Sequence, residues 1–183
     1  MTLNLWKALP SKIKRTITIV AFFVVSILIT VAGILSPLND EEVNTLGEGL
    51  KETQNTVKNL PPAQKVSFIF GNNFMISLAG FVPIIGPIFE CYALYSTGVV
   101  IAAYSTYEHF QISPLLLFAL LFLWPFTWLE FLAYSTAVAE SFWLTWRILQ
   151  RKGKREIKNA CMLISICAVM LLVAAIIETA LLA

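Results

Sequence analysis

TITIVAFFVVSILITVAGIL, residues 16–35, contains no charged side chain. At about 1.5 Å of rise per residue a helix of this length spans the roughly 30 Å hydrocarbon core of a bilayer. The stretch reads as a transmembrane helix, and that reading decides the fold. Lys7, Lys12, Lys14 and Arg15 stand just before it. A cleavable signal peptide would also begin with such a basic region. The apolar run is long for a signal sequence, however, and no small-x-small cleavage site follows, so the expectation is an uncleaved signal anchor.

The composition of the whole chain agrees. Of 183 residues, 58% are hydrophobic and 13% charged, and the mean hydropathy is +0.77. A water-soluble domain carries about 25% charged residues. A soluble fold of this length would have to expose too much apolar side chain, and lipid as solvent removes that conflict. The expected class is all-α: one membrane domain over residues 1–183, a polytopic helical bundle. The net charge of +2 matters less than its placement. Arg147, Arg151, Lys152, Lys154, Arg155 and Lys158 form a second basic block. Both blocks abut membrane segments, so they read as positive-inside anchors and not as a nucleic-acid surface.

Residues 39–60 differ in kind. They are polar, with Asp40, Glu41, Glu42, Glu48 and Glu52. Val43, Leu46, Leu50, Val57 and Leu60, with Thr53 in one slot, recur at heptad spacing, which predicts an amphipathic helix outside the bilayer. Asn39 or Asp40 caps its start, and Pro61 and Pro62 end it. The stripe seats the helix on its own bundle or in the membrane interface, or it receives a partner.

Further apolar runs occupy residues 66–82, 86–107, 126–147 and 159–178. The break Pro83-Ile84-Ile85-Gly86-Pro87 predicts a tight hairpin between the first two. Residues 112–124 are apolar but too few for a comfortable crossing, and Pro125 stops them. As a full span they would put the second basic block outside. As a re-entrant half-helix they leave both basic blocks inside. The expected architecture is therefore five transmembrane helices, one re-entrant element and one external amphipathic helix. The N-terminus is expected in the cytoplasm, and the C-terminus outside the cell membrane.

The chain holds a single histidine, His109, and a single aspartate, Asp40. A Ser-His-Asp relay has no evident members, and one His with three scattered Cys does not make a zinc site. No phosphate-binding Gly-x-x-x-x-Gly-Lys-Ser/Thr loop or dinucleotide fingerprint occurs. The expectation is a protein that is not an enzyme and takes no cofactor or metal. Its expected partners are the bilayer and other membrane proteins or further copies of itself, with no nucleic acid. Cys91, Cys161 and Cys167 read as small buried apolar residues.

The polar residues within the apolar runs are the candidate site: Glu130, Glu90, Asn72, Asn73 and Glu140, with Glu178 near the end of the last run. Charged side chains at the bilayer centre cost roughly 2.5–3.5 kcal/mol on insertion scales, so they pair, face a cavity or serve a path. Glu130 follows the break at Pro125 closely enough to bond to freed backbone groups or face water. Glu140 and Arg147 are seven residues apart and share a face. Gly98 with Ala102, and Ala133, Ala137 and Ser141, are small-residue series that let helices approach.

Several of these features resemble the stage II sporulation protein M family of small membrane proteins. Asn72-Asn73 with Gly80 and Gly86 matches an Asn-rich start of a span and a Gly-spaced hairpin. Gly98 matches one glycine of a later step. Pro125 and Glu130 match the ends of a Pro-His-Gly-x-x-Glu motif, in which Phe126 and Thr127 replace the His and Gly. The resemblance covers roughly residues 66–147. It implies a membrane partner in a larger assembly, alongside peptidoglycan-degrading proteins in sporulating bacteria. The expected function is a non-enzymatic scaffold or accessory subunit of a membrane complex. The alternative is a small permease or channel that uses Glu130 near a broken helix.

Overall fold

The computed structural model describes residues 10–151 and 153–181; Lys7 and Lys152 of the two basic blocks lie outside them. Seven helices and no strand are present among the described residues: α1 (Ser11–Ile34), α2 (Asp40–Lys58), α3 (Pro62–Gly80), α4 (Ile85–Tyr107), α5 (Pro114–Leu121), α6 (Pro125–Leu149) and α7 (Gly153–Leu181).

Prolines and short polar side chains set most of the boundaries. Pro62, Pro114 and Pro125 each occupy a first-turn position, where a missing N–H costs nothing. Asn39 caps α2: its Oδ1 accepts from Glu42 N at 2.9 Å, and Asn39 N donates to Glu42 Oε2 at 3.0 Å. Asp40, Glu41 and Glu42 lie in the first turn, at the positive end of the helix dipole. Pro62 does more than end α2. It opens α3, which therefore starts before the apolar run at residue 66 and carries Gly71, Asn72 and Asn73 inside it.

The break before α4 is tight. Ile84 has φ 69°, a left-handed conformation that strains a β-branched residue. The turn is held by Gly86 N donating to Val82 O at 2.8 Å and Ile84 N donating to Thr145 Oγ1 at 3.1 Å. α5 is capped by Ser113, whose side chain accepts from Leu116 N at 3.2 Å, and it meets α6 at a bend of 90°. The freed carbonyl of Phe122 at this corner accepts from Trp128 Nε1 at 2.7 Å. Trp128, not Glu130, thus satisfies the backbone that the break exposes.

Ser11–Ile34, Ile85–Tyr107 and Glu156–Leu181 are long and apolar enough to cross a membrane, and the bent pair α5–α6 brings the number to four if it forms one span. α3, with Gln64, Lys65, Asn72 and Asn73, is not among them. The outer surface is apolar, as lipid requires. Val20, Val24 and Leu28 on α1, and Met162, Val169 and Ile176 on α7, are all exposed.

α6 is the central helix. Every residue from Ala133 to Ser141 is buried, so it is enclosed on all sides. Phe131 and Tyr134 join a core cluster with Ile34, Leu94 and Phe118, while Ala133 and Ala137 join a second one with Phe81, Cys167 and Leu171. The small-residue series do the packing expected of them: α6 and α7 have the most extensive contact, and Gly98 lies against the α1 backbone at Thr30. The cysteines require a correction. Cys167 is fully buried, but Cys91 is only half-buried and Cys161 is exposed, on an outward face where an apolar environment is supplied by lipid.

α2 packs along α4. Tyr104 Oη donates to Gln54 Oε1 at 2.9 Å, Lys51 pairs with Glu108 at 2.8 Å, and Gly47 seats the Tyr107 ring. Val43, Leu46, Leu50, Val57 and Leu60 are all half-buried, whereas Thr53 is exposed and Gln54 takes the inward place. The hydrogen bond to Glu108, and then its charge, raise the Lys51 pKa. The pair therefore contributes throughout neutral pH and is lost only as pH rises through the elevated value; being exposed, it contributes little. The cap matters more. Asn39→Ala should cost about 1 kcal/mol and show as faster hydrogen exchange in α2, with α1 unchanged.

Candidate functional site

The polar residues of the bundle fall into three groups along α6. At the first, Asn73 Nδ2 on α3 donates to Glu130 Oε1 on α6 at 2.6 Å. Glu178 on α7 lies within electrostatic reach of Glu130, and Tyr134, one turn further along α6, within reach of Glu130, Glu90 and Glu178. The structure therefore joins the Asn of one matched segment to the Glu of another. Asn72 is exposed and does not enter; its Nδ2 lies 3.4 Å from Asn73 Oδ1. Asn73→Ala should cost about 1 kcal/mol, the scale of an interhelical hydrogen bond in a membrane. Glu130→Gln, which can still accept from Asn73, should cost less. Unfolding of both variants in mild detergent checks the order.

The second group surrounds Glu90 on α4. Its side chain is fully buried, and neither carboxyl oxygen has a hydrogen-bond partner. Gly80 on α3 faces it: a Cβ there would run into Glu90 Oε2.

The third group lies where α1 begins. Arg15 Nη1 donates to Glu140 Oε2 at 2.5 Å, and Nη2 pairs with Glu156 on α7. The guanidinium also sits 5.9 Å from the Trp143 ring centroid. Glu140 and Arg147 share a face of α6, but Glu140 is taken by Arg15, and Arg147 Nε instead lies 3.7 Å from Glu156. Sequence reasoning missed Arg15 and Glu156 as members of this group. The available signal was Glu156 itself, a lone acid inside a basic block.

Apolar helices with lipid-facing exteriors and acids turned inward define a membrane protein. The chain belongs to the stage II sporulation protein M family, whose model matches residues 18–181. The match extends well beyond residues 66–147 and takes in α1 and α7. No curated protein and no solved structure matches the chain.

Proposed function

We propose that the chain is a non-enzymatic integral membrane scaffold or accessory subunit of a multiprotein membrane complex. The observation that carries this reading is the seating of α2. Its apolar face is turned to α4, and Gln54–Tyr104 and Lys51–Glu108 fasten it there. Glu41, Glu48, Glu52 and Asn55 remain exposed on the other side. A polar, acidic face held on a rigid support suits recognition by a partner domain.

The proposed topology is five crossings, with α3 as the second, α5 as a re-entrant half-helix and the N-terminus in the cytoplasm. The Arg15–Glu156 pair supports it, because it draws the two basic blocks to one end of the bundle. α2 and the Glu108 loop meet at the end of α4 away from the hairpin. Burial in the bundle of Ser77 and Gly80 favours α3 as a crossing despite its polar residues.

Purification from the native membrane in gentle detergent, with mass spectrometry of what co-purifies in fixed ratio, tests the subunit role. A stoichiometric partner is expected, and replacing Glu41, Glu48 and Glu52 with Lys should release it. A partner retained by that variant would remove α2 from the reading, and a lone homo-oligomer would remove the subunit role. The second reading is a small permease or channel. Asn73, Glu130 and Glu178 beside the 90° break favour it, since broken helices and intramembrane acids form transport sites. Unchanged flux on Glu130→Gln in proteoliposomes would exclude that role for Glu130.

A further inference from the structure

We propose that Glu90, with Ser77, forms an intramembrane binding site for a monovalent cation, H+ or Na+. The site is built into the α3–α4 hairpin. Gly86 lets the two backbones meet, since a Cβ there would strike the Gly80 carbonyl. Gly80 leaves the room that the Glu90 carboxyl fills. The carboxyl is 0% exposed, and both of its oxygens lack a partner. Ser77, one turn before Gly80 on the same face of α3, is also 0% exposed, and its Oγ is likewise unpartnered.

An ionised carboxylate enclosed in apolar surroundings requires compensation. Among the described residues nothing supplies it: neither carboxyl oxygen has a hydrogen-bond partner. Among the described residues, Cys91 on α4, Tyr134 on α6 and Cys167 on α7 lie in electrostatic reach of Glu90, none of them a cation. The buried residues of α3 are Gly80, Ser77 and, twelve positions before Ser77, Lys65. A carboxyl enclosed with neither a donor nor a basic side chain beside it among the described residues is complemented by a small cation. The Ser77 hydroxyl provides a further oxygen, which suits Na+, and either occupant neutralises the carboxylate. The site is independent of Glu130, and it stands whether the bundle serves as a scaffold or carries a flux.

A membrane-soluble carbodiimide tests it on the wild-type protein in proteoliposomes, because the reagent modifies carboxyls that carry a proton and spares ionised ones. The modified residue is located by peptide mass spectrometry, with Glu90→Gln confirming the assignment. Glu90 is expected to be modified in Na+-free buffer. Protection by Na+ but not by K+ identifies Na+ as the occupant. Protection only by rising pH identifies H+. No modification at any pH or salt, or modification that responds to neither, overturns the proposal. Ser77→Ala should shift the midpoint of protection several-fold; an unchanged midpoint overturns the part given to Ser77. As a second readout, the unfolding temperature of the wild type should depend on the concentration of the cation so identified, and that of Glu90→Gln should not.

Discussion

Arg15→Ala lowers the unfolding free energy by about 3 kcal/mol or more, the expected consequence of removing one member of a buried charge pair. Arg15 is the only group bonded to both Glu140 and Glu156 among the described residues, and the two carboxylate side chains are 1% and 6% exposed. Without the guanidinium both acids are left enclosed, and Arg147 Nε stands 3.7 Å from Glu156. Arg15→Lys should recover part of the loss, because one ammonium cannot present the fork that reaches two carboxylates at once. Arg15→Ala combined with Glu140→Gln and Glu156→Gln should recover more, since the unpaired charges are then gone. Thermal or denaturant unfolding in mild detergent measures the series. A wild-type midpoint for Arg15→Ala would mean that the cluster is hydrated and holds nothing together.

Gly98→Leu prevents assembly of α1 on α4. A Cβ at Gly98 would meet the Thr30 carbonyl and the Ile34 amide, and one at Gly33 would meet the Tyr95 carbonyl. The two glycines face each other's helices, so both backbones depend on both missing side chains. Overpacking an ordinary core costs about 1–3 kcal/mol, because neighbouring side chains shift. Here the obstacle is main chain, and the helices must separate, so a larger loss is expected. Gly49→Leu is the control: nothing lies within 4 Å of a Cβ at that position. Size-exclusion profiles and protease resistance in detergent should show Gly98→Leu and Gly33→Leu aggregated or degraded, with Gly49→Leu like wild type.

The features that sequence made legible are those set by neighbours along the chain. An uncharged run gives α1, a heptad stripe with an Asn cap gives α2, and Pro-x-x-Gly-Pro gives the hairpin. Each depends on residues a few positions apart. The site residues were legible as outliers, because acids and amides are conspicuous in apolar helices. Their partners were not. Arg15 reads as part of a basic anchor, yet it is enclosed by acids from two distant helices. Periodicity placed Glu140 on the face of Arg147 but could not say that another helix would reach it first. Glu90 and Glu130 look alike in the sequence, and only the packing of α3 separates them: Asn73 bonds to Glu130, while Gly80 leaves Glu90 unbonded.

The placement of α1 has a consequence for biogenesis. Its main contacts are with α4 and α6, and the glycine joint at Gly33 closes on Tyr95 of α4. A ribosome delivers chain from the N-terminus, so α1 emerges before the other six described helices and finds its seat late. Between those moments its apolar flank has only lipid or an insertion factor to lie against, and Arg15 waits without Glu140 and Glu156. Among the described helices α1 is thus the one whose docking depends on the greatest length of chain still to be made.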